Sequence, residues 1–287
     1  TLWPGSPDKP RRYVSDSEPI DKLLRVQLSR GHSAGIKSVA QSPSSQLIAS
    51  GAGDGTIKLW NIQNGHCIHT FERHTDGVMS VAFSPDDTYI ASGSIDSTVK
   101  LWNTRDGCCT YSLEEHTDSV MSVAFNPDST LIASGADDNT IKLWDVNNGH
   151  LIRSFEEHSD EINSVIFSPN GNHIASGADD CTIKLWNIKN GHMIRSFEGH
   201  ANKVNSVTFS PNGNYIASGD DDDIIKLWDI KNGRCIKSLV GHNNSVIFSG
   251  VKSVAFSPDG KYIASGGGDN TVKLRHRIVG DAIAITV

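Results

Sequence analysis

No run of 18 apolar residues occurs anywhere in the 287-residue chain, so no membrane-spanning helix is expected. Positive charge is not in excess: 26 Lys and Arg stand against 33 Asp and Glu, a net charge of −7. That balance argues against a broad nucleic-acid footprint, which needs a basic face. Cysteine is scarce, and the five present show no metal-ligand spacing. Cys67, Cys109 and Cys235 share one slot of an internal repeat that holds Leu151 and Met193 in other copies, so that slot is simply apolar. Cys181 occupies a turn slot filled elsewhere by Gly, Ser, Asn or Asp. Unpaired thiols suit a reducing, intracellular setting, read here as cytoplasmic with the nucleus left open. The sequon Asn243-Asn244-Ser245 is the one contrary sign. A signal-peptide pattern is missing at the start, and Thr1 in place of Met is what a processed chain or a fragment would show.

What is present is repetition. His32, His74, His116, His158, His200 and His242 are each 42 residues apart, and Trp60, Trp102, Trp144, Trp186 and Trp228 keep the same spacing. "IASG" occurs six times, and Asp54, Asp96, Asp138, Asp180, Asp222 and Asp269 lie six residues before the Trp slot. Self-similarity of this period has to be read before any local motif. Within a copy, "VMSVAF", "YIASG", "TVKLWN" and "CIHTFE" read as four short strands separated by "SPDD"- or "SPNG"-type turns, an Asp-containing turn and "NG". One such sheet cannot bury both faces alone. Sheets stacked in a ring can, leaving no long open edge. The fold class expected is all-β, a propeller of six four-stranded antiparallel blades over residues 22–287, after a Pro-, Ser- and charge-rich lead-in at 1–21.

These residues resemble the WD40 repeat β-propeller family. The resemblance is carried by the Gly-His pairs Gly31-His32, Gly199-His200 and Gly241-His242, by the "IASG" strands, by the turn Asp, and by "KLWD" at Lys142–Asp145 and Lys226–Asp229. It covers about residues 30–276 in six in-register copies, departing with Glu or Arg before His in copies two to four and Asn after several Trp. It implies a structural hydrogen-bonded chain in each blade. Carried over, copy three uses His116, Ser134, Asp138 and Trp144. The equivalents are His74, Ser92, Asp96 and Trp102, then His158, Ser176, Asp180 and Trp186, then His200, Ser218, Asp222 and Trp228. Physically, four buried polar groups each need a partner.

Candidate chemistry weakens when the copies are compared. Gly31–Gly35, "GHSAG", matches the hydrolase nucleophile elbow, which would make Ser33 the nucleophile of a serine hydrolase. A strand follows it instead of a helix, and the same slots read "RHTDG" and "EHSDE" elsewhere. Six of the twelve histidines are one per blade, too dispersed for one ion, and His66, His150 and His192 sit in an "NGH" turn. Gly219–Asp223, "GDDDD", lacks the Ca²⁺-loop pattern and reads as turn residues, with a weak cation site as the sharper alternative. "SGGGDN" at 265–270 opens no helix and so is no phosphate loop. The expectation is therefore a non-enzyme without catalytic residues, cofactor or metal.

Variation between copies then locates a working face. With strands a to d counted from the inside, the d–a loop and the b–c turn share one face of the ring. Three slots there point toward the channel mouth: Gly35, Lys37 and Gly53 in copy one, then Gly77, Met79 and Ile95, then Ser119, Met121 and Asp137. Glu161, Asn163 and Asp179 follow, then Lys203, Asn205 and Asp221, and in copy six Gly250, Lys252 and Gly268. Met79, Ile95 and Met121 form an apolar sector; Asp137, Glu161, Asp179 and Asp221 form an acidic one. The bland alternative is ordinary variable surface. The sharper one is a scaffold that takes a protein or peptide partner with an apolar anchor and basic flanks. It would be a monomeric propeller within a larger protein or complex, with no membrane role. A phosphopeptide reader would want clustered Arg, and none of these slots holds one.

The ends leave the ring's closure open. Both Lys22–Leu28 and Asp281–Val287 fit as the outer strand beside Thr271–His276. The first closes six blades and is preferred; the second implies a seventh blade and a fragment. Arg275 replaces Trp at this seam, after a five-residue insertion in copy six, and is expected to send its head to solvent or to Asp269.

Overall fold

The computed structural model describes residues 31–240, 242, 250–276 and, as backbone alone, 282–285. Each repeat folds into one sheet of four strands, and every strand pairs antiparallel with its sequence neighbour. Blade one is Ile36–Gln41, Leu47–Ala52, Ile57–Asn61 and Cys67–Phe71; blade six is Val251–Phe256, Tyr262–Gly267, Val272–His276 and Ala282–Ile285. Among the described residues there is no helix. The innermost strands lie against one another in order from blade one to blade six.

In all six blades the pairing of strands a and b slips after the first residue of strand a, as between Ile36 and Ser38 or between Val120 and Ser122. The extra residue is a β-bulge, which bends the strand and re-aims one side chain. The bulge explains why the apolar residues of "VMSVAF" are spaced three then two: Val78, Val81 and Phe83 all face the preceding blade.

Blades join through a valine face and a glycine face. The "IASG" glycine lies on the side toward the next blade, where a Cβ would meet a valine or isoleucine methyl. The separation would be 2.6 Å at Gly51, Gly93, Gly135 and Gly177, and 2.4 Å at Gly219. Each apolar cluster accordingly spans two blades; Ala133, Ile141, Leu143 and Phe155 of blade three pack on Ile162, Val165, Phe167 and Trp186 of blade four. A serine hydroxyl completes each joint by accepting a backbone N–H from the next blade, as Ser38 does from Val81 at 3.1 Å and Ser122 from Val165 at 3.0 Å.

Inside blade three, His116 Nδ1 lies 2.7 Å from Asp138 Oδ2 and its Nε2 lies 2.7 Å from Ser134 Oγ, while Trp144 Nε1 donates to Ser134 Oγ at 2.8 Å. With the carboxylate ionised, Nδ1–H donates, Nε2 accepts the serine proton, and the serine oxygen accepts the indole N–H. Each of these four side chains thereby has a partner. Blades two and four repeat the arrangement through His74, Ser92, Asp96 and Trp102 and through His158, Ser176, Asp180 and Trp186. Burial opposes ionisation of Asp96, Asp138 and Asp180. The histidine, a threonine hydroxyl and backbone N–H groups outweigh it and hold these carboxyls well below the usual range.

Blade five departs from the sequence expectation. His200 Nδ1 bonds Asp220 Oδ2 at 2.6 Å, and Asp222 instead accepts from Asn202 at 3.2 Å. The reason is local: other blades carry a threonine two residues after the turn Asp, and its hydroxyl steadies that carboxylate, as Thr140 does for Asp138 at 2.7 Å. Blade five has Ile224 there and a fully buried Asp220 where blade three has Ala136. Asp220 takes the N–H groups of Asp222 and Ile224, at 3.0 and 2.9 Å, and with them the role.

Two expectations for the seam are corrected. Ala282–Ile285 pairs with Val272–His276, placing Ile283 opposite Leu274, so the tail takes the outer edge of blade six. A strand that follows by a short turn closes a smaller loop than one arriving from the far end of the chain. Lys22–Leu28 lies outside the described residues. Among the described residues the arc is open: Val39 of blade one is 66 % exposed, whereas Val81 in the same slot is 5 % exposed. Arg275 points neither to solvent nor to Asp269. It is buried, and its Nη1 donates to Val240 O at 3.1 Å; Lys273 pairs with Asp269 at 3.3 Å.

The joints predict a sharp contrast. Gly135→Ala forces a methyl into blade four and lowers stability by about 1–3 kcal/mol, whereas Gly266→Ala, with nothing within 4 Å of the new atom, leaves the urea midpoint unchanged. In blade five, Asp220→Ala costs about 1–3 kcal/mol and Asp222→Ala less than about 0.5 kcal/mol, measured in the same denaturation series; the reverse order would return the buried role to Asp222.

Candidate protein-binding face

The three slots of each blade are brought together by the backbone. The residue before the turn Asp donates its N–H to the carbonyl of the loop residue, as Ile95 does to Gly77 at 2.9 Å. Asp137 does the same to Ser119 at 2.9 Å, Asp179 to Glu161 at 2.8 Å and Asp221 to Lys203 at 3.2 Å. The third member is the bulged residue of strand a: Lys37, Met79, Met121, Asn163, Asn205 or Lys252. A bulge at the same point in every blade therefore presents one side chain per blade beside a fixed loop–turn pair.

Ile95 is 41 % exposed, and Met79 and Met121 are half-buried beside it in the neighbouring bulge slots. The acidic sector divides in two. Asp221 receives Lys252 Nζ at 2.7 Å and Lys203 Nζ at 3.6 Å, so its charge is answered within the chain. The Asn205 carboxamide donates to Asp221 at 2.6 Å and to Val251 O at 3.0 Å. Asn163 similarly holds Asp179 at 2.6 Å and Val204 O at 3.2 Å. Both asparagines thus tie their blade to the next.

Among the described residues Asp137 and Asp179 have no such cation. Burial pushes the Asp137 carboxyl up to about 6, with the charges of Glu161, Asp118 and Asp179 adding to it against a hydrogen bond from Ser119. Sequence comparison missed Asp118 because the loop aspartates Asp76, Asp118 and Asp160 recur and read as uniform turn residues. It also missed Lys252 as the partner of Asp221, since the five-residue insertion blurs the alignment of copy six. The acidic surface that remains for a ligand is Asp137, Glu161 and Asp179.

The other candidates do not assemble. Ser33 Oγ donates to Asp54 at 3.3 Å, and His32 turns away into the blade to reach Ser50 at 2.7 Å and Thr56 at 2.9 Å. Ser33 therefore has no histidine base among the described residues, where no group of three His, Cys, Asp or Glu converges as a metal set either. In the "GDDDD" run, Asp220 serves His200, and Asp223 accepts the Gly250 N–H at 2.6 Å. The five cysteines are free thiols.

Six stacked meanders of four strands, five of them holding this buried His–Ser–Trp chain, define a WD-repeat β-propeller architecture. Comparison with known families agrees. The WD domain, G-beta repeat, matches residues 22–61, 65–103 and 233–275, and the WDR36/Utp21 second beta-propeller domain matches 88–224. The chain belongs to the WD40 repeat family. Similar curated proteins include eukaryotic translation initiation factor 3 subunit I of Pyricularia oryzae, 46 % identical over 48 residues, which is 17 % of this chain and 14 % of that protein. Pre-mRNA-splicing factor prp46 of Aspergillus fumigatus is 42 % identical over 59 residues, 21 % of this chain and 13 % of that protein. The ribosome biogenesis protein BOP1 homolog of Caenorhabditis elegans is 36 % identical over 67 residues, 23 % of this chain and 10 % of that protein. The matches thus span one or two repeats, and the chain covers only 10–14 % of each relative's length.

The crowding at Asp137 has a measurable sign. Its native value lies above the roughly 3.9 of an unfolded aspartate, so the stability it contributes is present below about pH 4 and lost as pH rises through about 6. Asp137→Asn flattens the fall in Tm between pH 4 and pH 7, and carbon-13 NMR of the parent finds this carboxyl titrating about 6; an ordinary value near 4 contradicts the crowding.

Proposed function

We propose that the chain is a non-catalytic binding scaffold, a module of a larger assembly, whose polarised face takes a protein or peptide segment. The observation that carries this reading is the grouping on one face of exposed Ile95 with Met79 and Met121 beside the uncompensated carboxylates Asp137, Glu161 and Asp179. Methionine is adaptable apolar surface, and desolvated carboxylates without an internal cation favour a cationic partner. The ligand that fits carries one apolar anchor and, beside it, a Lys or Arg. Such a cation would relieve the repulsion that raises Asp137. The relatives support the scaffold reading through their names, which place them among translation initiation, splicing and ribosome biogenesis factors. Those names fit an intracellular setting, cytoplasmic or nuclear. Among the described residues no helix is long and apolar enough to cross a membrane.

Met121→Glu and Asp179→Lys test the face. Proteins captured by the parent from its source are expected to be lost with each variant, at a Tm within about 2 °C of the parent because neither side chain packs in an apolar blade joint and Asp179 gives up only its hydrogen bond from Asn163 of its own blade. Capture that survives both substitutions removes the proposal.

A further inference from the structure

The outer edge of each blade, its c–d turn and the strand d that follows, carries charge unevenly. Residues 63–69 of blade one hold no Lys or Arg, 105–111 of blade two pair Arg105 with Asp106, and 147–153 of blade three hold Arg153 alone. Blade four has Lys189 and Arg195 in 189–195, and blade five has Lys231, Arg234 and Lys237 in 231–237, with no Asp or Glu in either segment. Packing brings these cations together. Arg153 reaches out of blade three, and its Nη1 donates to Asn190 O of the blade-four turn at 3.3 Å, next to Lys189. Arg195 does the same to blade five, from Nη1 to Asn232 O at 3.4 Å and from Nη2 to Lys231 O at 3.5 Å. This fastening needs a donor and not a charge: in the same slot Tyr111 donates its hydroxyl to Asn147 O at 2.7 Å, and His69 Nε2 lies 3.3 Å from Arg105 O. The two guanidinium charges are therefore surplus to the joint. Their acceptors are carbonyls, and the Nε of each is buried without a partner. Among the described residues no carboxylate lies within ion-pair distance of Arg153, Lys189, Arg195, Lys231 or Arg234. Asp229, which opens the blade-five turn, accepts the Asn232 N–H at 3.1 Å. Lys189, Lys231 and Arg234 are exposed, and the same outer strands carry Ile194 and Ile236, 47 % and 49 % exposed.

We infer that the outer edge of blades three to five is a second docking surface, for an acidic polypeptide segment of a partner protein with an aliphatic residue among its carboxylates. Like charges held together without a counter-ion repel one another, and an incoming carboxylate turns that repulsion into attraction. Guanidinium groups suit carboxylates in particular, because their planar fork matches the two oxygens. Ile194 and Ile236 offer the aliphatic residue a partner beside the cations. Single-stranded nucleic acid fits less well. Its bases stack on aromatic rings, and among the described residues no Phe, Tyr or Trp is exposed. The net charge of −7 repels a long polyanion wherever it leaves the patch, whereas a short acidic segment ends within it. The surface is not an unfinished joint, since it lies on interior blades away from both ends of the described chain. It is also separate from the polarised face, because c–d turns open on the opposite side of the blades from the d–a loops.

The probe is a labelled peptide of about a dozen residues, glutamates with two isoleucines, titrated into the whole chain by fluorescence anisotropy. Saturable binding is expected at about 50 mM salt, weakening at least about threefold at about 200 mM, with none for the same peptide carrying Gln in place of Glu. Lys231→Glu and Arg234→Glu together weaken it at least about tenfold; both side chains are exposed, so the Tm stays in place. Arg195→Tyr keeps the fastening, as Tyr111 does in blade two, yet weakens binding at least about threefold. Arg105→Glu, the same change in the matching slot of blade two, leaves binding as it was. Absence of binding by the Glu peptide at the lower salt overturns the inference, and so does equal binding of the Gln peptide. Tighter binding of a single-stranded RNA of equal length, or of phosphatidylserine vesicles, reassigns the surface and overturns it too. So does self-association of the chain that Lys231→Glu abolishes, since the acidic sector of a second copy would then be the occupant.

Discussion

Everything in this molecule depends on the absence of one methyl group per repeat. The "IASG" glycine lets the next blade's valine come to 2.6 Å or less of where a Cβ would stand. That approach sets the spacing of the blades. A blade is marginal alone, since a four-stranded sheet of about 40 residues buries too little surface. Stability is therefore shared between neighbours, and each apolar cluster is made of two blades' side chains.

The polar chain within each blade is subordinate to that joint, and the copies show how far it bends. Blade five replaces the turn carboxylate with one two residues earlier and keeps the histidine in place. Blade six loses the indole altogether: His242 still reaches Ser265 at 2.9 Å and Asp269 at 2.8 Å, while Arg275 takes the vacated slot and finds a backbone carbonyl instead. The repeated requirement is a satisfied histidine, not a fixed set of four residues. A buried polar group left without a partner costs more than a satisfied bond gains, so selection on satisfaction tolerates substitution of the partner.

The blade architecture was legible because the period is strict and the strand signals repeat six times, so noise in one copy is averaged by the others. The three-slot face was legible for a similar reason: slots that vary stand out against slots that do not. What escaped was set by neighbours. "SGDDDD" offers four aspartates, and only the loss of the Thr slot to Ile224 decides that Asp220 enters the blade. "VMSVAF" reads as simple alternation until its three-then-two apolar spacing is taken as a bulge. The bulge is what gives Met79, Met121 and Asn163 their place. The fate of Arg275 and of the acidic sector turned on residues of adjacent blades, Val240 and Lys252, which no comparison within a copy brings near.

The same bulge separates the two duties of strand a. Its first, fourth and sixth residues are committed to the joint with the preceding blade, so in blades two to six they recur as Val or Ile, Val and Phe. Its second residue, thrown out of register, takes no part in the apolar joint with the preceding blade and changes from Lys37 to Met79 to Asn163, the asparagine adding a hydrogen bond to the next blade. A repeat can then be duplicated whole, keep its joint, and alter one side chain at the face. The face's polarity, apolar over blades two and three and acidic over three and four, is what such changes accumulate to when the joint forbids change elsewhere. The apolar joint and the variable side chain are thereby placed on different residues of one strand.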